Sequence, residues 1–255
     1  MLKANYHTHT PRCKHAEGSE REYIEAAIEH GFTVLGFSDH TPQPFEGGFV
    51  STIRMDMEEL DGYTDTLKAL REEYADRIDI RIGLEVEYYP RYFEKLMREI
   101  RKRDIDYIIL GQHFVPEEEE GIYAGHGTDS EDELAAYVDQ VMEALDTGEF
   151  MYLAHPDLIR YTGDHDTYIR HMTRLCEYAR DNGVMLEVNG LGFGTGRWYP
   201  REDFFKLASS MGCRFVYGCD AHSPGQLLQP EELEGMMDFL KVTDAVPEEI
   251  QRIKM

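Results

Sequence analysis

Seven short runs rich in β-branched and aromatic residues alternate along the chain with segments of helical spacing, and this alternation restricts the fold more than any other feature. The strand-like runs are residues 3–6, 33–37, 78–86, 107–110, 150–153, 184–188 and 215–217. Between them lie helical patterns at 19–30, 56–74, 93–102, 129–146, 167–182 and 201–211, and a last one follows at 231–241. Ser19 and Glu22 form a capping-box pair at the first helix, and Gly31 stands just past its end. In the second, Leu60, Tyr63, Leu67, Leu70 and Tyr74 share one face. Strands alternating with helices imply parallel strands joined by right-handed crossovers. The expected class is α/β, with closure of the strands into a barrel favoured over an open sheet, although the alternation alone does not decide between them. No Pro/Gly/Ser-rich linker interrupts the 255 residues, so 1–255 is read as one domain.

The 26 Lys and Arg against 50 Asp and Glu give a net charge of −24. That balance disfavours nucleic acid and anionic membranes as partners. No run approaches the roughly 18 apolar residues of a membrane span. The first residues carry no hydrophobic signal region, and Cys13, Cys176, Cys213 and Cys219 show no paired framework. The expectation is a cytoplasmic protein with reduced thiols. The acidic run 117–120, between Pro116 and Gly121, reads as a solvated loop.

Seven of the eleven histidines fall at or just beyond strand ends: His7, His9, His15, His40, His113, His155 and His222. Glu85 and Asp220 share that placement, and Asp39 stands beside His40. In a parallel barrel all these ends open on one face. His7-Thr8-His9 puts both imidazoles on the same side of a strand, and Asp220-Ala221-His222 repeats the geometry. Imidazoles and carboxylates converging in this way are a first-row metal set. Seven histidines and two acids exceed the needs of one tetrahedral ion, so two or three ions are expected, with a carboxylate as bridge. No cysteine is expected in the cluster. His30, His126, His165 and His171 lie elsewhere in helix or loop.

Several segments together resemble the PHP superfamily of metal-dependent phosphoesterases. They are His7-Thr8-His9-Thr10, His15, Ser38-Asp39-His40, Gly83-Leu84-Glu85, Gly111-Gln112-His113, Ala154-His155-Pro156 and Asp220-Ala221-His222. The spacing, with Ala154-His155-Pro156-Asp157-Leu158-Ile159 and Glu187-Val188-Asn189, is most similar to its histidinol-phosphatase branch. The resemblance runs from His7 to His222 and implies a distorted seven-stranded (β/α)7 barrel, in agreement with the seven strand-like runs, with its active site at the C-terminal ends of the strands. It also implies three divalent ions, of zinc, manganese or iron. His7, His9, Glu85 and Asp220 would hold the first. Glu85 would bridge to a second with His113 and His155, and His15, His40 and His222 would hold the third. Glu87 competes with Glu85 by position, and the family pattern favours Glu85.

The implied activity is hydrolysis of L-histidinol phosphate to L-histidinol and phosphate, in L-histidine biosynthesis, by attack of a metal-activated hydroxide. The alternative is a PHP phosphoesterase acting on another small phosphate ester, such as a nucleotide or sugar phosphate. Asp39, Asp157 and His222 are candidate acids for the leaving group. Arg160 and Arg197, just past two strand ends, are candidate phosphate clamps. Phe45 and Glu46 (with Phe49 on the same glycine-bearing loop) and Tyr161 or Trp198 are candidate contacts for the rest of a small-molecule substrate. Oligomeric state leaves no mark in the sequence.

Overall fold

The computed structural model describes residues 1–250, and the last five positions of the 1–255 domain reading lie outside it. Nine strands and eight α-helices follow one another among the described residues. Strands β1 (Ala4–Asn5), β2 (Val34–His40), β3 (Asp79–Val86), β4 (Tyr107–Leu110), β7 (Tyr152–Leu153), β8 (Met185–Asn189) and β9 (Arg214–Gly218) form one sheet in that order. Every pairing in it is parallel. A single parallel bridge, Thr8 to Ala221, brings the continuation of β1 against that of β9 and closes the sheet into a barrel. The seven expected strands are therefore the seven barrel strands. Strands β1 and β7 have only two residues each, which accounts for the distortion.

The helices close as their sequences dictate. Ser19 caps α1 (Glu20–Glu29), with both halves of the capping box formed. Leu60, Tyr63, Leu67 and Leu70 of α2 (Leu60–Glu73) are buried. So are Phe93, Leu96, Met97 and Ile100 of α3 (Phe93–Ile100). Helix α4 (Glu131–Asp146) is capped by Ser130, and α5 (His165–Asn182) by Asp164. Helix α7 (Glu202–Ser210) completes the outer layer before β9. Inside the barrel, the floor is a small cluster of Tyr6, Tyr107, Ile109, Tyr152, Ala154, Met185 and Val216. The Tyr107 hydroxyl lies 2.8 Å from the Tyr6 carbonyl and 3.1 Å from that of Phe37, so the buried phenol is satisfied. No helix among the described residues is long and apolar enough to cross a membrane.

Three sequence expectations are corrected. The helix expected at 231–241 is instead a 3-10 turn at Pro230–Glu232 followed by α8 (Met236–Thr243), because Gly235 takes a left-handed conformation between them. The short helix α6 (Gly190–Gly194) carries no apolar periodicity and was not expected. The acidic run is not a solvated loop. It turns a small hairpin of β5 (Phe114–Val115) and β6 (Ile122–Tyr123). Within it, Glu118 accepts from buried Arg54 at 2.7 Å and Glu119 accepts from the Tyr92 hydroxyl at 2.7 Å.

Candidate metal centre

Strand register places the first elements of the site. His40 and Glu85 are direct neighbours at the ends of β2 and β3. Glu85 is the hub: Nε2 of His7, His9, His113 and His155 lies 3.6, 3.6, 3.7 and 2.9 Å from its carboxylate, and His40 Nδ1 lies 2.8 Å away. Asp220 is a second hub, 3.4 Å from His7, 3.0 Å from His9 and 3.5 Å from His222. His15 reaches His222, Nε2 to Nε2, at 3.0 Å. All nine expected ligand residues are thus brought together. Donor atoms lying within 4.8 Å of one another form the groups His7/Glu85/His155, His7/His9/Asp220 and His9/His40/His222.

The backbone bends to achieve this. His155 and Asp220 both sit at positive φ, 28° and 53°, where non-glycine residues are strained. Two glycines make room for carboxylates. A Cβ at Gly111 would fall onto the Glu85 carboxylate, and one at Gly218 onto that of Glu187.

Behind the donors lies a layer that the sequence reading left without roles. Glu187, fully buried, contacts His7 Nδ1 at 2.7 Å and accepts from the His155 amide at 3.0 Å. The Asn189 amide reaches Glu187 at 2.8 Å and Asp220 at 3.1 Å. Glu187-Val188-Asn189 repeats the one-apart spacing of Asp220-Ala221-His222 at a strand end, and that was the available signal. Glu87 belongs to this layer too, not to the hub. It accepts from Arg54 at 2.6 Å, from the Tyr89 hydroxyl at 2.6 Å and from the backbone of His113 and Phe114.

The cluster is electrostatically tense. Burial works against charge on His7, but Glu187, Asp220 and Glu85 prevail and raise it to about 10. Burial holds His40 well below the usual imidazole range, and together with His9 it lowers His222 to about 3. Burial also opposes ionisation of Glu85, yet His40, His113 and His7 keep it ionised. His7 Nε2, both nitrogens of His9, His40 Nδ1, His113 Nδ1, His155 Nδ1 and Glu85 Oε2 are buried and make no well-aligned hydrogen bond, even where an opposite partner stands as close as 2.8 Å. Such groups are costly unless something binds them. A set of imidazoles and carboxylates so arranged fits divalent first-row ions, which would displace the protons that the carboxylates otherwise hold on the rings.

One expectation about the donors is corrected. The Cys13 thiol, fully buried, stands against the cluster, grouped with His9 and Asp39 and with His15 and His222. The turn Pro11–Cys13 and the left-handed Lys14 swing it and His15 inward together. All four cysteines are free.

Above the donors opens a cavity of about 520 Å³. His15, His40, His113, Asp220 and His222 form its polar floor. Phe114, Tyr123, Leu158, Leu191, Arg197 and Tyr199 stand around it. Arg197 is the only lysine or arginine in its lining, and it donates to the Tyr199 hydroxyl at 2.8 Å.

The other expected substrate and acid residues fall elsewhere. Arg160 is exposed, with its guanidinium 5.3 Å from the Trp198 ring and outside the cavity lining. Phe45 packs edge-on against Phe49 and Tyr92, and Glu46 pairs with Arg91 at 3.3 Å. Their loop borders a separate cavity, because the aromatic residues around Tyr92 hold it away. Tyr161 is stacked on Tyr168 in the core. Trp198 donates to the Leu158 carbonyl at 2.7 Å and braces the wall from behind. Asp39 accepts from Thr10 and from the His40 amide and backs His9, so it does not face the cavity. Asp157 is buried below, accepting from the Arg201 amide, and burial pushes it up to about 7. His222 alone of the three candidate acids lines the cavity. His30, His126, His165 and His171 pair with Glu232, Glu133, Asp203 and Glu131, away from the centre.

Comparison with known proteins agrees with this architecture. A Deinococcus radiodurans protein named "Probable histidinol-phosphatase" is 32% identical over 235 residues, covering 87% of this chain and 86% of the relative. A Bacillus subtilis protein named "Histidinol-phosphatase" is 24% identical, covering 89% of this chain and 96% of the relative. The crystal structure of histidinol phosphate phosphatase from Lactococcus lactis, complexed with zinc, L-histidinol and phosphate, superposes with a TM-score of 0.73. Its identity is 20%, and the match covers 96% of this chain and 95% of that one. The PHP domain model matches residues 5–190, which span β1 to the start of α6 and include seven of the nine gathered donors. With the barrel, the strand-end donors and these matches together, the chain belongs to the PHP domain family.

Proposed function

We propose that this chain is a phosphoric monoester hydrolase that converts L-histidinol phosphate to L-histidinol and phosphate in L-histidine biosynthesis. The observation that carries the reading is the convergence of six imidazoles on Glu85 and Asp220, joined by His15 through His222, beneath a cavity whose one permanent cation is Arg197. The relatives named histidinol-phosphatases support the substrate.

Three divalent ions, of zinc, manganese or iron, are the expected cofactor. His7, His9, Glu85 and Asp220 would hold one. Glu85, His113 and His155 would hold a second, and His15, His40 and His222 a third. Ions bound there supply Lewis-acid neutralisation of phosphate oxygens and a water acidified toward neutral pH. The chain's own residues do the rest. Glu187 keeps the proton on His7 Nδ1, so that Nε2 turns a lone pair toward Glu85 and Asp220. Arg197, steadied by Tyr199, offers its fork to the phosphate. Asp39 and Asp157 are not retained as acids, since neither faces the cavity. His222 is not retained either, because its place among the donors engages its nitrogen.

The acidic surface and the single cation fit a small ester and no nucleic-acid or membrane partner. Four free thiols go with a cytoplasmic location. Phosphate release from histidinol phosphate, a nucleotide monophosphate and a sugar phosphate tests the reading. The highest kcat/KM is expected for histidinol phosphate. Negligible turnover of it at full metal occupancy overturns the assignment in favour of another small ester.

A further inference from the structure

We infer that Phe114 and Tyr123, the two aromatic residues of the β5–β6 hairpin that line the cavity, are the specificity-determining wall for the substrate's flat aromatic end; this rests on the histidinol phosphate reading. On that reading the phosphate end of the ester would lie at the donor floor and Arg197, both of which line the cavity. The remainder must lie against what is left of the lining. Apart from Thr195 and Gln226 that surface is apolar or aromatic, and outside the donor set it includes no carboxylate. A planar ring is the chemistry it accommodates. Tyr199 is the third aromatic residue there, but its hydroxyl is taken by Arg197.

The wall is built in advance. Phe114 and Tyr123 are register partners across the hairpin, with ring centroids 5.6 Å apart. Both are half-buried, so each keeps a face open. The hairpin is fastened where it leaves the metal centre. The Phe114 amide donates to Glu87 at 3.0 Å, the Phe114 carbonyl accepts from Gln112 at 2.7 Å, and the Ala124 amide donates to the His113 carbonyl at 2.8 Å. At the turn, Glu118 is tied to Arg54 and Ser51. A ring entering the cavity therefore meets a surface already ordered, which lowers the entropic cost of holding it. Because Phe114 follows His113 directly, the same hairpin sets the spacing between donor floor and wall.

The test compares histidinol phosphate with 2-aminoethyl phosphate, which has an amine and a phosphate but no ring, in Phe114→Ala, Tyr123→Ala and the conservative Tyr123→Phe. Each alanine is expected to lower the ratio of kcat/KM for the ringed ester over the ring-free one by up to about tenfold, chiefly through KM. Tyr123→Phe is expected to restore the ratio, and inhibition by inorganic phosphate to stay at its wild-type constant in all three. An unchanged ratio overturns the wall, and so does an equal loss on both esters with weakened phosphate inhibition. If the wild-type enzyme does not hydrolyse histidinol phosphate, it is the substrate reading that fails. The wall is then judged by the same ratio for phenyl phosphate over 2-aminoethyl phosphate.

Discussion

Glu187 and His7 form a fully buried carboxylate–imidazole pair, 2.7 Å from Oε1 to Nδ1, with the other ring nitrogen aimed at Glu85 and Asp220. The carboxylate fixes which nitrogen carries the proton and raises the basicity of the other. Its second oxygen holds the amide of His155, a residue at positive φ. One side chain thus orients two donors. Glu187→Gln keeps the shape and removes the charge. Metal affinity is expected to fall by roughly 10–100-fold, with the fold retained. Competition against a chelator of known affinity, read beside far-ultraviolet circular dichroism, checks both halves.

Glu85 stands at the centre of five imidazoles. Glu85→Gln removes a hub instead of a support, so its effect should exceed that of Glu187→Gln. Activity is expected to drop more than about 100-fold, the upper range for outer-layer partners. Metal analysis should show fewer ions per chain. Full activity with full occupancy would contradict the bridging role.

The two arginines that the sequence treated alike are separated by the structure. Arg197 lines the cavity and Arg160 does not. A hydrogen bond to a charged group contributes about 1.5–3 kcal/mol. Arg197→Ala is therefore expected to raise KM and the phosphate inhibition constant about 10–100-fold. Arg160→Ala should leave both near wild type. Steady-state kinetics with phosphate as product inhibitor distinguishes the pair.

Arg54 is buried between Glu87 and Glu118, at 2.6 and 2.7 Å. Burial opposes ionisation of Glu87, and Arg54 and His113 hold it ionised below the usual carboxylate range. Arg54→Met leaves two buried carboxylates without their partner. The expected loss is about 3–5 kcal/mol of stability, read as a lower urea midpoint. The double variant Arg54→Met with Glu118→Gln should recover part of it.

The barrel and its donor set were legible because both are written in short-range spacing. A strand alternates with period two, so His7-Thr8-His9 and Asp220-Ala221-His222 announce side chains on one face. Glu187 and Asn189 obey the same rule, but a carboxylate and an amide without a histidine carry no metal signal alone. The substrate side was less legible because it depends on which loop packs where. Phe45 and Arg160 both follow barrel strands, yet one is drawn into an aromatic cluster and the other outward onto Trp198. The hairpin escaped notice because an acidic run looks solvated until a buried arginine is found to answer it. The left-handed Gly235 delays the last helix to Met236, where the residue pattern alone would have begun it near 231.

Among the described residues, the bridge from Thr8 to Ala221 is the only strand pairing that joins the first barrel strand to the last. His7 and His9 flank one side of it, and Asp220 and His222 the other. The gathered donors therefore straddle the barrel's seam, and ions held by residues on both sides would act as rivets between the two ends of the sheet. Parting the seam splits the donor set in two. Loss of metal and opening of the barrel would in this way be one event seen from two sides. Amides along Asn5 and Cys219, whose side chain and backbone meet at 2.8 Å just below, would report it first in hydrogen exchange.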